Sequence, residues 1–561
     1  MTKSKWFPHV LGGVVALLVL ALLCYLTCPA INIHNPGLWL LVTLGIFVYL
    51  LVSRLCGRRH TAPVNITTPN GRQIPLGFGF SFKPFLIPLG LLVLTGLLSL
   101  GSREMFHSTA YANILIIQES DFATDLSDSV STDAIALMDT ASAQMLGDRE
   151  IGNLSDVVSQ YNVSTAYTQI DFQGKPLKVA PLEYDGFFKW MNNRQNGATG
   201  YVTVNPVDMD ADFVRCAGMK YVPSAYFAQD AKRHMWSQFP TLMLENLHFE
   251  IDESGKPYYV ASIIEKSIFL FGGKTVSGCV VMDPVTGDCT RYNLKSTPRW
   301  VDVVFDGNLI CEQYNWRGLY QNGWFNSLFA KKGCNQVTSY STVDSDGNEV
   351  DAADFGYVAK DGDIWIYTGI TSVNGDSSNI GFLLSNERTG ESRYYPIAGA
   401  DEKSAMAAAE GEVQEKRYVA SFPSLINVAG EPTYIMVLKD SGGLVKMYAA
   451  VNVEQYNLVA THEKIDQCIA AYKEMLGVQD NPDTEKPAQP VTTTHEIEIA
   501  AIKYIDIDGD TYIYLIDGES NLYRAKAADH EEMLLLKEGD SVKITCIGKE
   551  IQSCLIGPPT E

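Results

Sequence analysis

The chain has 561 residues, 43 of them Lys or Arg and 65 Asp or Glu, and the two signs are segregated. Residues 1–103 hold eight basic side chains and no acidic one, so the remainder carries 35 basic against 65 acidic residues, a net charge of −30. A field of that sign repels nucleic acid, which removes nucleic-acid binding from the candidate functions, and roughly 455 residues exceed one core, so two to four domains are expected.

Three apolar runs, Val10–Leu26, Leu38–Leu55 and Phe85–Leu100, lack an ionisable side chain until Arg54. Crossing a bilayer takes about 20 apolar residues, and these somewhat short runs qualify once flanks such as Trp6 and Phe7 before the first and Phe82 and Pro84 before the third are included. Residues 1–103 are therefore expected to form a block of three transmembrane helices. Lys3 and Lys5 precede the first run, the segment 27–37 has no Lys or Arg, and Arg54, Arg58, Arg59, Arg72 and Lys83 lie between the second and third. The positive-inside rule then places the N-terminus in the cytoplasm and everything after about residue 103 outside it, in a multi-pass protein of the cell membrane. No small-residue cleavage pattern follows the first run before Pro29, so it is read as a retained span. The architecture suggests a bacterial source.

Eleven cysteines include three in the membrane block. The eight beyond it form no CxxC pair and no zinc-spaced Cys/His cluster, so neither metal nor cofactor is expected. Cys279 and Cys289 flank a turn, as do Cys546 and Cys554; each pair is open to two readings, disulfide or buried thiols.

Residues 104–223 read as an α+β domain. Ile114–Ile117 suggests a strand, Thr132 to about Gln160 a helix interrupted at Gly147, Glu183–Arg194 an amphipathic helix and Gly200–Asn205 a strand. Asp208, Asp210 and Asp212 alternate as a calcium loop begins, but the glycine and the twelfth-position acid are missing, so a solvated loop is expected.

Internal similarity appears next. Gly278–Leu294 aligns without gaps on Gly381–Ile397, each an apolar strand, a turn closed by Thr-Gly and an acid, and a second strand carrying Tyr. A candidate helix (Ser224–Trp236) and strands Leu247–Ile251 and Pro257–Ile264 precede the first copy. The order recurs as helix Asp401–Gly411 and strands Tyr418–Asn427, Pro432–Lys439 and Leu444–Val453, with turns at Gly430 and Gly442-Gly443. Helix, strand, Gly-Lys-Pro-Tyr-Tyr-Val, and Val-Val-Met-Asp-Pro-Val-Thr-Gly-Asp together resemble a PepSY-type module over about 224–294 and, more loosely, 401–459. The insertion Glu265–Lys274 is longer than that pattern, and 295–380 has no counterpart. The resemblance implies small, non-catalytic extracytoplasmic modules that regulate peptidases near the cell surface. Two such units are expected, at 224–380, with an inserted aromatic loop, and at 381–478.

That loop, Tyr314–Asn326, offers Tyr314, Trp316, Tyr320, Trp324 and Phe325 as ring faces beside Asn and Gln, the composition that holds sugar rings or extended peptide. It is the candidate binding surface; the competing reading has these rings filling a core. His462–Leu476 reads as a helix. Residues 479–494, with three prolines and no aromatic, form a linker. Beyond it, 495–561 alternates as six short strands (His495–Ile505, Thr511–Ile516, Asn521–Ala527, Met533–Leu536, Ser541–Ile547, Glu550–Ile556), a small β-barrel of OB or SH3 type. Six basic against fourteen acidic residues there argue against an oligonucleotide ligand.

No GxSxG, HExxH, P-loop or strand-associated GxGxxG occurs, and the extramembrane histidines are scattered. The sequence thus points to an α+β multidomain protein, anchored by three spans, that binds an envelope protein or cell-wall glycan without catalysis. The alternative is an envelope enzyme acting on glycan or peptide, with 314–326 as substrate platform.

Overall fold

The computed structural model describes residues 6–57, 65–67, 73–75, 83–126, 137–152, 154–343, 349–373, 378–478, 492–507, 510–518, 521–527, 530–547 and 550–556. The predicted linker 479–494 lies mostly outside them. The chain is α+β and divides into two compact units, 1–477 and 478–561.

Three helices, Phe7–Thr27, Pro36–Cys56 and Lys83–Gly101, are long and apolar enough to cross a membrane. The first two pack closely because Gly12 faces the second helix: a Cβ there would lie 2.2 Å from Ser53 Oγ. The connector between them docks on the folded region beyond. Ile31 N donates to Pro240 O (2.7 Å), Asn32 Nδ2 to Thr241 O (3.2 Å) and Trp236 Nε1 to Pro29 O (2.8 Å), while the Arg233 guanidinium lies over the Tyr25 ring.

The rest of the first unit stacks four main sheets, antiparallel except at one edge of the third, each preceded by a helix; Ser339–Val343 and Glu349–Ala353 form a separate two-stranded hairpin. Helix Thr140–Gly152 leads the first (strands Tyr161–Val163, Thr168–Phe172, Lys175–Tyr184, Ala198–Asn205, Asp210–Met219). Helix Ala231–Gln238, capped by Asp230, leads the meander Met243–Ile251, Pro257–Ile268, Gly272–Met282, Cys289–Asn293. Helix Gly307–Tyr320 leads the third, built on Gly356–Lys360, Asp363–Ser372, Ser378–Asn386 and Ser392–Tyr395, with Asn335–Val337 on one edge and Ile117–Glu119 joining in parallel on the other. Helix Glu402–Glu412, capped by Asp401, leads the fourth, whose main strands are Ser424–Val428, Glu431–Lys439, Val445–Asn452 and Val459–His462; helix Ile465–Met475 covers its far face.

The second sheet is buried on both faces. Phe249, Tyr259, Ile263 and Met282 join Tyr201, Val202 and Trp190 of the first layer, while Val260, Ile264, Val276 and Val281 meet Ile310, Tyr314, Ile366 and Leu383 of the third. Likewise the third sheet turns Tyr367, Phe382 and Leu384 onto Ala405, Ala409, Tyr434 and Met436. Each fully buried side chain of this size contributes roughly 1.5–3 kcal/mol, so apolar contact supplies most of the binding between layers.

The aligned segments form equivalent hairpins. Gly287 and Gly390 both adopt positive φ (84° and 76°), and each closes its turn by donating to the carbonyl four residues back, Asp283 (2.8 Å) and Asn386 (2.9 Å). Several expectations need correction. Residues 314–320 end the helix that begins at Gly307, and Trp324–Leu328 forms another short helix, so no extended aromatic loop exists. The Glu265–Lys274 insertion is a longer hairpin arm turning at 269–271. The strand near 114 begins at Ile117. Residues 295–380, without counterpart in the alignment, supply the third helix and most of the third sheet. Cys279 and Cys289 are free thiols, Cys279 opposing Tyr292 and Cys289 opposing Met282 in the ladder; the Cys546 side chain lies outside the described residues.

The second unit is a closed barrel of five strands, Thr492–Ile507, Asp510–Asp517, Leu522–Lys526, Ser541–Ile547 and Glu550–Ile556, the last pairing in parallel with the third. Residues 533–536, expected as a strand, belong mainly to a short 3₁₀ turn, Glu531–Leu535. Met533 and Leu536 plug the barrel core from that turn.

Candidate functional site

The five sequence-nominated aromatics do not share one surface. Tyr314 is buried between the second and third sheets, where burial pushes its phenol far above the usual range. Trp316 lies edge-on against Tyr111 (4.9 Å between centroids). Tyr320 is half-buried at the end of the same helix, and Trp324 packs on Phe325, which is exposed.

A different site lies where the layers meet. A cavity of about 740 Å³ is bounded by the start of helix Thr140–Gly152, by Gln169 and Lys178 of the first sheet, by Phe355–Tyr357 of the third and by Phe422–Ser424 of the fourth, with Lys403 and Met406 from helix Glu402–Glu412. Gln169 and Lys178 stand directly opposite each other across the hairpin 168–179. Both are 3 % exposed. The Lys178 ammonium sits 5.5 Å from the centre of the Tyr357 ring, and among the described residues it forms no ion pair and no hydrogen bond. Burial lowers its pKa to about 8, Asp139 only partly opposing the fall. Gln169 Nε2 donates to the Leu177 carbonyl (3.2 Å), while its Oε1 is buried without a partner among the described residues.

Two carboxylates line the cavity, and neither forms an ion pair with Lys178 among the described residues. Asp139 is engaged by Lys439 and by the Ser142 amide (2.8 Å), which outweigh burial and hold its carboxyl below the usual range. Asp354 is pushed up to about 6 by burial and the nearby Asp401. Behind it Glu402, buried and receiving the Gly369 amide (3.0 Å), rises to about 7 for the same reasons. The result is a buried ammonium with no ion pair among the described residues, set among aromatic faces, with Lys403 and the half-exposed Tyr340 also on the cavity wall. An ammonium so placed accepts an anion; its depressed pKa leaves roughly a tenth as free amine at pH 7.

A second buried polar cluster is structural. Glu250 accepts from His248 Nε2 (2.8 Å) and from the amides of Asp302 (2.9 Å) and Val303 (3.0 Å), and Asp302 accepts from the Asp171 amide (2.7 Å). These bonds tie the first two sheets to the segment entering the third. Burial works against a charged His248, but the Glu250 carboxylate more than offsets it and raises the imidazole pKa.

Lys178 gave no sequence motif. The available signal was its strand, Lys175–Tyr184, where Leu177, Val179, Ala180 and Leu182 put apolar residues on both faces, so that a lysine between them is carried inside. No protein-family model matches the chain, and no curated protein matches it.

Proposed function

We propose that the chain is a membrane-anchored, non-catalytic binding protein of the cell envelope, and that the cavity around Lys178 takes an anionic group of its partner, an envelope protein or cell-wall glycan. The carrying observation is the buried Lys178 ammonium, unpaired among the described residues and facing a 740 Å³ space. A charge held this way costs stability, and a ligand anion would offset that cost. Residues after about 103 are read as extracytoplasmic. The docking of residues 29–32 on 236–241 supports this, because the first connector and the stacked sheets then share a side that the positive-inside rule places outside. The helix-plus-meander units support an analogy with PepSY modules, and the barrel's strand order supports the OB reading, used here for protein contact given its acidity.

The test uses intact cells. With benzoylphenylalanine at Tyr340, irradiation should give a discrete adduct, sensitive to protease or muramidase according to the partner. Lys178→Met should reduce that adduct at least tenfold. Equal adducts in both backgrounds would refute the cavity as the binding site.

A further inference from the structure

We propose that Phe325, Leu328 and Phe329, with Met105, Phe106 and Phe269, form an interfacial patch that seats in the headgroup layer of the bilayer crossed by the three apolar helices.

The placement follows from two antiparallel helices. Glu104–Ala112 starts directly after the third apolar helix ends at Gly101. Helix Gly307–Tyr320 packs alongside it in the opposite direction, with Trp316 against Tyr111 near the far end and Tyr320 close enough to Glu104 to feel its charge. The chain leaving Tyr320 has therefore returned to the level of Gly101, and Trp324–Leu328 packs there against Glu104–Ala112.

The hairpin tip of the second sheet reaches the same level. The Phe269 ring stacks on His107 (6.0 Å) and lies so near the membrane helix that a Cβ on Gly101 would come within 3.2 Å of it. The neighbouring Phe271 amide donates to Ser102 Oγ (3.1 Å), and its ring meets Trp39 in the first turns of the second apolar helix.

The chemistry fits a membrane surface. Phe329 is 78 % exposed and Phe325 70 %, and the other four also rank among the exposed large apolar side chains. Lys331 and Lys332 follow at once, both exposed, in a region whose net charge is otherwise strongly negative. Aromatic rings beside lysines are the composition of membrane interfaces, where rings sit at headgroup depth and ammonium groups reach the phosphates. Continuity with the apolar helices selects lipid over a second copy or another protein as the occupant.

The full-length protein is reconstituted in nanodiscs of phosphatidylethanolamine and phosphatidylglycerol containing a phospholipid with a diazirine in its acyl chain near the glycerol. Photolysis followed by peptide mapping should place lipid adducts on 324–330 and 105–106 as well as on the apolar helices. Phe325→Ser combined with Phe329→Ser should lower the 324–330 adducts at least tenfold and leave those on 7–27 unchanged. Labelled helices with an unlabelled 324–330 in the wild type would overturn the proposal, whatever the variant does. So would a photoadduct between copies through this segment in place of lipid.

Discussion

Replacing Lys178 by Met should stabilise the protein at neutral pH. The stem of Lys178 already lies in the cavity wall, and Met has similar length without the charge. A pKa lowered from 10.5 to about 8 corresponds to about 3 kcal/mol of preference for the unfolded state while the amine is protonated in both states. The group is fully buried, so solvent screening takes little from that figure. Losing the cation–π contact with Tyr357, worth about 2 kcal/mol at a desolvated site, leaves a gain of about 1 kcal/mol. The pH dependence is the diagnostic part. Below about pH 8 both states hold the proton and the cost is at its full, constant value. Between 8 and 10.5 the unfolded chain binds more protons than the folded one, so wild-type stability rises with pH, and above 10.5 the cost is gone. Urea titrations of the detergent-solubilised full chain, followed by tryptophan fluorescence, should therefore show K178M ahead at pH 7 and level with or behind wild type at pH 10.5. A variant destabilised equally at both values would mean that the ammonium is compensated in the fold, and the anion-site argument would fail with it.

Glu402→Gln should remove a second pH dependence of opposite sign. With the folded carboxyl near 7 against 4.5 for the free group, the folded state holds the extra proton between those values, so stability falls as pH rises through that window; the variant should flatten the fall and gain up to about 3 kcal/mol at pH 8, read from urea midpoints. His248→Ala should cost about 3–5 kcal/mol near pH 6, where the protonated imidazole faces the buried Glu250, and less at pH 9, because a raised imidazole pKa contributes stability that disappears as pH climbs through it. Gly218→Ala should cost more than about 3 kcal/mol in thermal melts, since its Cβ would fall 1.5 Å from the Asn196 carbonyl oxygen, backbone against backbone.

What could be read from the sequence tracks where each side chain faces. The apolar helices were legible because lipid-facing runs need no polar stripe, and TM-length segments announce themselves by composition. The hairpins at 283–288 and 386–391 were legible because a positive-φ turn constrains its residues to Thr-Gly-acid in both copies. Helix Gly307–Tyr320 escaped for the opposite reason. Leu309, Ile310, Cys311, Gln313, Tyr314 and Gly318 are all buried and spread around the helix, so its polar stripe is too weak to mark its period, and its aromatics read as a loop. Residues 533–536 were misassigned because four apolar residues in a row fit a core strand as well as a turn that plugs a barrel. The cavity was invisible because its walls come from sequence positions as far apart as 139 and 424, and only the stacked layers bring them together.

The same stacking sets the cavity apart from the three apolar helices. A ring of its wall, Phe355, packs against Gly307, the first residue of the third helix, where a Cβ would meet it at 2.6 Å. That helix runs 14 residues, about 21 Å at 1.5 Å per residue, before reaching the level of Glu104 and the membrane helices. The hydrogen bonds from Ile31, Asn32 and Trp236 prevent the stack from swinging about a single tether, because a second connector holds it as well. On the proposed reading, then, the cavity wall at Phe355 stands one helix length, roughly 21 Å, from the chain that enters the apolar helices, on a platform clamped at several points. The anion proposed for Lys178 is expected from a soluble or wall-borne partner, so loss of the patch at 325–329 should alter seating in lipid and leave capture at Lys178 intact.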